Sequence, residues 1–302
     1  MSSAPPRNPG PSWGFDFLQL LNRFCPAPLR DGFTAIGSSV AWAFMPKERA
    51  ASMEYLSAVT GKPCSKLYSL KHFANFTALM MAKLRAGDGK SVTLDWASSE
   101  DAENGAILFS DQQLLLGTFH VGGSEFLGFH NSALNRKVAM IRQRRNNSGD
   151  IDRLVERSSG NLKIIWVDPG DSVVFALRDL IAEGYSPALQ CDRLEHSSKS
   201  AVFDFLGRQR RMPFTIYRLA LLYELPVCFC VALPGEKDLH YQVKAFSPFY
   251  PVKAEKSDQL KAAETHFQGV LHWLEQILAQ HPLLWFNFMP LSSSMELTEK
   301  EL

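Results

Sequence analysis

From residue 113 onward, short apolar runs alternate with stretches whose apolar positions recur at helical spacing. The runs 113–119, 137–141, 162–167, 186–191 and 226–233 are each followed by a helical stretch, at 124–134, 150–157, 173–182, 215–223 and 241–246. This alternation predicts an α/β core with a largely parallel sheet, because parallel neighbours need a crossover between them. Upstream the pattern is helical. Residues 15–24 carry a broad apolar face and stop at Cys25-Pro26. Residues 47–84 place Ala50, Met53, Leu56, Leu67, Leu70, Phe73 and Phe76 at helical intervals, broken at Lys62-Pro63. A last helix over 257–280 precedes the aromatic segment from His281 to Phe288. The expected fold is a single α/β domain with a mostly parallel mixed sheet flanked by helices. A disordered leader over 1–12, a helical part over 13–100, the core over 105–250 and a C-terminal helix with aromatic segment over 255–290 complete it.

Composition narrows this little. The chain has 302 residues, 46% hydrophobic and 21% charged, with a net charge of +1, so its overall balance argues neither for nucleic acid nor for a membrane. Its five cysteines are odd in number, no CxxC occurs, and Cys228 and Cys230 alternate within an apolar run. That pattern reads as buried thiols in a reducing, cytoplasmic compartment and gives no metal site. The proline-rich start has no signal-peptide core, and the apolar run 217–233 is interrupted by Arg218, Glu224 and Pro226, so no transmembrane helix is expected. Residues 15–24 have two readings, packing against the body of the protein or shallow insertion into a membrane surface.

The chemistry concentrates at Thr118-Phe119-His120-Val121-Gly122-Gly123-Ser124-Glu125-Phe126. A buried strand ends at His120, the two glycines turn the chain, and a helix follows. In α/β folds ligands are bound at this carboxyl end of a strand. With His120 on the turn and Glu125 in the first helical turn, the carboxylate reaches back to the imidazole and fixes its tautomer, leaving the other nitrogen to take a proton from an alcohol. The structural alternative is a strand-end histidine beside a glutamate that complements a helix N-terminus.

This H-x4-E element followed by a helix resembles the glycerolipid and lipid A acyltransferase superfamily, in its lauroyl/myristoyl branch. Further landmarks occur in that branch's order between residues 105 and 288: the strand 137–142 ending in Arg142, a turn at Asn147 leading to Asp152-Arg153-Leu154, and a strand delivering Asp192. They continue with Val202-Phe203-Asp204-Phe205-Leu206-Gly207-Arg208, Met212-Pro213, and the Pro282-x-x-Trp285-Phe286 close. Phe119, Ser124 and Arg193 depart from the branch's usual residues, and no counterpart of its N-terminal membrane anchor is read. The resemblance implies transfer of a fatty acyl group from acyl carrier protein or acyl-CoA, as co-substrate, to a hydroxyl or amine of a lipid or glycolipid acceptor. No other cofactor and no nucleic acid are implied, and the membrane contact would be peripheral.

On that reading His120 is the general base and Glu125 its partner, with Arg142, Asp192, Gly122 and Gly123 as candidates for substrate or oxyanion contacts. Arg208, Arg210 and Arg211 are candidates for phosphate or acyl carrier protein contact, against the alternative of a solvated face. Asp192 has two readings, an ion pair with Arg142 or another site group, or a loop cap. His72 is given no role. Gly170-Asp171-Ser172 resembles a lipase motif, but no Asp-x-x-His completes it and no Gly-x-Ser-x-Gly elbow occurs. A serine esterase using Ser172 and a non-catalytic lipid-binding protein of the same fold are the rival functions.

Overall fold

A computed structural model of the chain describes residues 12–133, 136–143, 160–167, 173–194 and 199–291. Residues 1–11 of the leader expected over 1–12, the helix over 150–157 and Ser172 lie outside these residues, and Ser12 of that leader begins a helix. Helices α1 (Ser12–Phe24), α2 (Ala27–Phe44), α3 (Pro46–Thr60) and α4 (Lys66–Gly87) come first, and β1 (Thr93–Trp96) and α5 (Ser99–Asn104) follow. The core runs β2 (Leu115–Thr118), α6 (Phe126–Ala133), β3 (Val138–Gln143), β4 (Leu162–Val167), α7 (Val173–Ala182) and β5 (Ser186–Gln190). A hairpin of β6 (Ser200–Phe205) and β7 (Arg208–Pro213) leads to α8 (Thr215–Tyr223), β8 (Val227–Pro234), β9 (His240–Phe249) and α9 (Lys256–Gln280). The fold is α/β, as the pattern predicts.

The seven-stranded sheet has the order β1-β9-β8-β2-β5-β3-β4. Strands β8, β2, β5, β3 and β4 are mutually parallel, while β9 is antiparallel to β8 and carries β1 parallel to itself. Every residue of β8 from Val227 to Leu233 is buried, as a strand covered on both faces must be. Its odd residues Phe229 and Val231 join the core under α8 and α9, and its even residues Cys228 and Cys230 join the core beneath α4 and α6. All five cysteines are free thiols.

Three elements differ from the sequence reading. Residues 241–246, read as a helical stretch after the run 226–233, lie in strand β9, whereas residues 27–44, within the part read as helical, form α2. Residues 93–96 form the edge strand β1, too short to show a period. Residues 200–213 form a two-stranded hairpin outside the main sheet, where the polar run Arg208–Arg211 conceals the strand character of β7. The helices α1 and α2 also expose apolar side chains: Phe17, Leu20 and Phe24 on α1, and Leu29, Phe33, Ile36, Val40 and Phe44 along one side of α2. No helix among the described residues is long and apolar enough to cross a membrane.

Candidate active site

Strand β2 ends in the middle of the sheet, between β5 and β8, and the chain beyond it is stitched to three segments. Thr118 O accepts from Cys191 N (2.8 Å), and His120 N donates to Asp192 Oδ2 (2.8 Å) at the end of β5. His120 O accepts from Phe286 N (2.7 Å) and Gly122 N donates to Leu284 O (2.8 Å) in the C-terminal segment. Gly123 N donates to Ala232 O (2.8 Å) at the end of β8. Gly122 has φ +52°, and a Cβ there would stand 2.3 Å from Ala232 O, so the turn requires glycine twice over. Ser124 Oγ receives Ala232 N (3.2 Å), which ties the turn to β8 instead of capping a helix.

The partner of the imidazole is Asp192. Its Oδ1 lies 2.6 Å from His120 Nδ1, and because a carboxylate only accepts, Nδ1 carries the ring proton. Asp192 Oδ2 also receives Trp285 Nε1–H (2.7 Å), while Asp192 O receives Asn287 Nδ2–H (2.9 Å). The Asp192 side chain is wholly buried, and that of His120 is 16% exposed. Nε2 of His120 forms no hydrogen bond among the described residues.

Burial pushes the Asp192 carboxyl up, but the charge and hydrogen bonds of His120, with Arg193 nearby, outweigh it and hold the group below the usual carboxylate range. Burial is the main influence on His120 and pulls it below the ordinary imidazole value, aided by Arg193 and opposed by Asp192 and Glu125. The product is a neutral imidazole near pH 7, protonated at Nδ1, with the lone pair on Nε2.

Glu125 does not take the place on Nδ1 expected for it. Its Oε2 lies 2.7 Å from Lys83 Nζ of α4, in a pair whose side chains are 20% and 8% exposed. The helix begins at Phe126, one residue later than Glu125 needs to sit in its first turn, whereas Asp192 arrives from β5, the strand hydrogen-bonded to β2. The Glu125 charge still acts on His120. Glu125, Thr118 and Ser124 border a narrow apolar cavity of about 60 Å³ between the sheet and α6, lined by Leu116, Gly117, Leu127, Gly128, Met140 and Cys228. A water-sized group occupies roughly 10–15 Å³ on this measure, so the cavity has room for about five such groups.

The remaining candidates separate. Gly122 and Gly123 spend their amide hydrogens on Leu284 and Ala232, so they are not oxyanion donors. Arg142 lies on β3, two strands from β2, and its side chain falls outside the description. Arg210 is 5% exposed and donates to Phe205 O (3.0 Å) and Leu291 O (2.7 Å), so it is a structural cation and not a docking group. Arg208 is exposed, and Arg211 is half-buried with Nη1 3.3 Å from Ser200 Oγ. Burial along β7 divides what looks like one cluster in the sequence.

Sequence reasoning passed over Lys83, His72, Trp285 and Asn287 as site residues. Lys83 had a signal: it stands at helical spacing from Phe76 and Met80, a charge on an apolar face. Arg193 donates to Asn287 Oδ1 (3.0 Å), Asn287 O (2.8 Å) and Phe286 O (3.1 Å), which fastens the C-terminal segment to the end of β5. No protein-family model and no curated protein matches the chain.

Proposed function

We propose that this protein is an acyltransferase that moves a fatty acyl group from a thioester, of acyl carrier protein or coenzyme A, to a hydroxyl or amine of a lipid-like acceptor. One observation carries the reading: a neutral imidazole at the carboxyl end of the central strand, locked at Nδ1 by a buried carboxylate, with Nε2 left without a hydrogen bond among the described residues and an apolar cavity bordered by the neighbouring Thr118 and Glu125. Nε2 takes the proton as the acceptor oxygen attacks the thioester carbonyl. The tetrahedral oxyanion collapses, the carbon–sulfur bond breaks, and the imidazolium returns the proton to the leaving thiolate. Asp192 stabilises the imidazolium and holds its orientation. Glu125, paired with Lys83, borders the cavity that takes the first carbons of the acyl chain. Arg142 remains the candidate for the oxyanion.

The apolar faces of α1 and α2 suit peripheral attachment to a membrane surface, with Arg23 at the end of α1 available to anionic headgroups. The experiment supplies the purified protein with acyl carrier protein thioesters and a total lipid extract and follows acylated products by mass spectrometry. The wild-type protein should transfer and His120→Ala should fall by 10³-fold or more with unchanged circular dichroism, the scale of losing a general base together with its orientation. Retention of activity within tenfold by a folded His120→Ala protein removes His120 from the mechanism.

A further inference from the structure

Trp285 is held at two points. Its indole donates to Asp192, and its carbonyl O lies 2.9 Å from Nε2 of His72, a residue of α4 that is 1% exposed. His72 Nδ1 lies 3.0 Å from Ser52 Oγ of α3, Ser52 Oγ lies 3.0 Å from Ser69 Oγ of α4, and Ser69 Oγ receives Trp42 Nε1 of α2 (3.2 Å). A carbonyl only accepts, so His72 carries its proton on Nε2. With the ring neutral, as its burial requires, Nδ1 accepts from Ser52, Ser52 accepts from Ser69, and Ser69 accepts from the indole of Trp42. The protons are thus ordered through three N-terminal helices as far as the backbone of Trp285. From the side chain of the same residue a second set of hydrogen bonds runs through Asp192 to His120.

We propose that His72 is a positioning residue: by holding Trp285 it fixes Asp192, and through Asp192 the tautomer of His120. The role rests on the reading of His120 as the base. The segment that carries Trp285 has no ladder of its own. Beyond a single antiparallel bridge between Val121 and Trp285, it turns through Phe288 at φ +51°. Its place is therefore set by two backbone bonds, Gly122 N to Leu284 O and Phe286 N to His120 O, and otherwise by side chains. The His72 ring stacks on Phe288 (4.6 Å between centroids), and the Tyr55 ring meets Trp285 edge-on at 4.8 Å. Packing of this kind confines Trp285 but does not orient its amide plane. That plane is held from both edges, by Phe286 N–H on His120 O (2.7 Å) and by the bond from His72 to Trp285 O (2.9 Å). With the second bond removed the plane tilts about the first, and the tilt carries the indole N–H off Asp192 Oδ2. An Asp192 released on that side is free to turn, and with it the requirement for a proton on Nδ1 of His120 is relaxed.

The test compares wild type with His72→Leu, His72→Gln and Ser52→Ala. Two-bond 1H–15N NMR of the His120 imidazole across pH reads its tautomer without any substrate, and kcat and KM for an acyl thioester are measured in parallel. Wild type should show one tautomer, protonated at Nδ1. His72→Leu should show both, with kcat lower by about tenfold, the low end of outer-shell effects, and KM within twofold. His72→Gln keeps an N–H for the Trp285 carbonyl and should restore both readouts. A folded His72→Leu protein with a single His120 tautomer and wild-type kcat overturns the proposal. Should that variant fail to fold, Ser52→Ala decides, since it keeps the packing but leaves Nδ1 of His72 without a donor. A minor second His120 tautomer and a fall in kcat of threefold or more support the proposal, and no change in either overturns it. Because the NMR readout needs no substrate, a wild-type protein that transfers no acyl group overturns the reaction while the link from His72 to His120 is still judged.

Discussion

His120 and His72 are both imidazoles lowered in pKa by burial, and both are linked to Trp285, His72 directly and His120 through Asp192. They differ in what the second nitrogen does. His72 is satisfied at Nδ1 by Ser52 and at Nε2 by the Trp285 carbonyl, so it has no lone pair to offer and no path to solvent. His120 spends only Nδ1, and its ring reaches the surface. A second difference is the neighbour: a neutral hydroxyl beside His72 offers an imidazolium no compensating charge, whereas the Asp192 carboxylate makes transient protonation of His120 tolerable. What marks a base in a buried setting is therefore one nitrogen held and one left open, more than the histidine itself.

The comparison is broken most sharply at Asp192. Asp192→Asn presents an amide in place of the carboxylate, and its N–H forces the ring proton of His120 from Nδ1 to Nε2. His120 then carries its proton as His72 does and has no lone pair for the acceptor. Turnover at saturating donor should fall by about 10³–10⁴-fold, the scale seen where a base is held in the wrong tautomer. The same NMR experiment should show the proton on Nε2. Turnover within tenfold of wild type would mean that Asp192 is a structural staple between β5 and Trp285.

The pH dependence of stability tests the His72 side. Its folded pKa is lowered to about 4 from an unfolded value of 6.5, with burial the main cause. The unfolded chain therefore takes up a proton in a window where the folded protein does not. Stability is intact above 6.5 and is lost as pH falls through that window toward 4, by about 3 kcal/mol in total at 1.36 kcal/mol per pH unit. Urea unfolding at pH 7 and at pH 4.5 should show a smaller difference for His72→Gln than for wild type, because other histidines contribute equally to both proteins. Equal differences would place the His72 titration elsewhere.

How much of this was legible in the sequence follows from the range of the interactions. The α/β core was visible because buried strands such as 226–233 must be apolar throughout and helices must be amphipathic. His120 was visible because a strand end, two glycines and a helix surround it in six residues. Asp192 was legible as a strand-end carboxylate for some site group, but that the group is His120 was not, because the two are distant in the chain and meet only through the pairing of β2 with β5, which no local pattern encodes. Glu125 was the nearest carboxylate in sequence and drew the assignment, although a lysine on α4 holds it. His72 and Trp285 were invisible for the same reason: each reads locally as core, and their meaning lies in contacts between the helical N-terminal part and the last aromatic segment.

The smallest expected effect applies the same contrast to guanidinium groups. On β7, Arg210 is buried with its donors spent on two carbonyls, as His72 is spent, whereas Arg208 is exposed and Arg211 half-buried. If an acidic carrier protein delivers the acyl group, its encounter surface includes Arg208 and Arg211 and excludes Arg210. Arg208→Glu with Arg211→Glu should raise KM for the carrier-linked donor by about threefold to tenfold at low salt. The difference should fade toward 0.5 M salt, since exposed charges are screened beyond about 10 Å already at 0.1 M. Turnover at saturation should hold, because neither residue touches the reacting atoms. A short acyl-pantetheine donor, which lacks the protein surface, should respond to neither substitution. Equal losses with both donors would move the pair to the acceptor site. No loss with either would show that β7 presents a solvated face, leaving His120 and its neighbours to account for donor recognition.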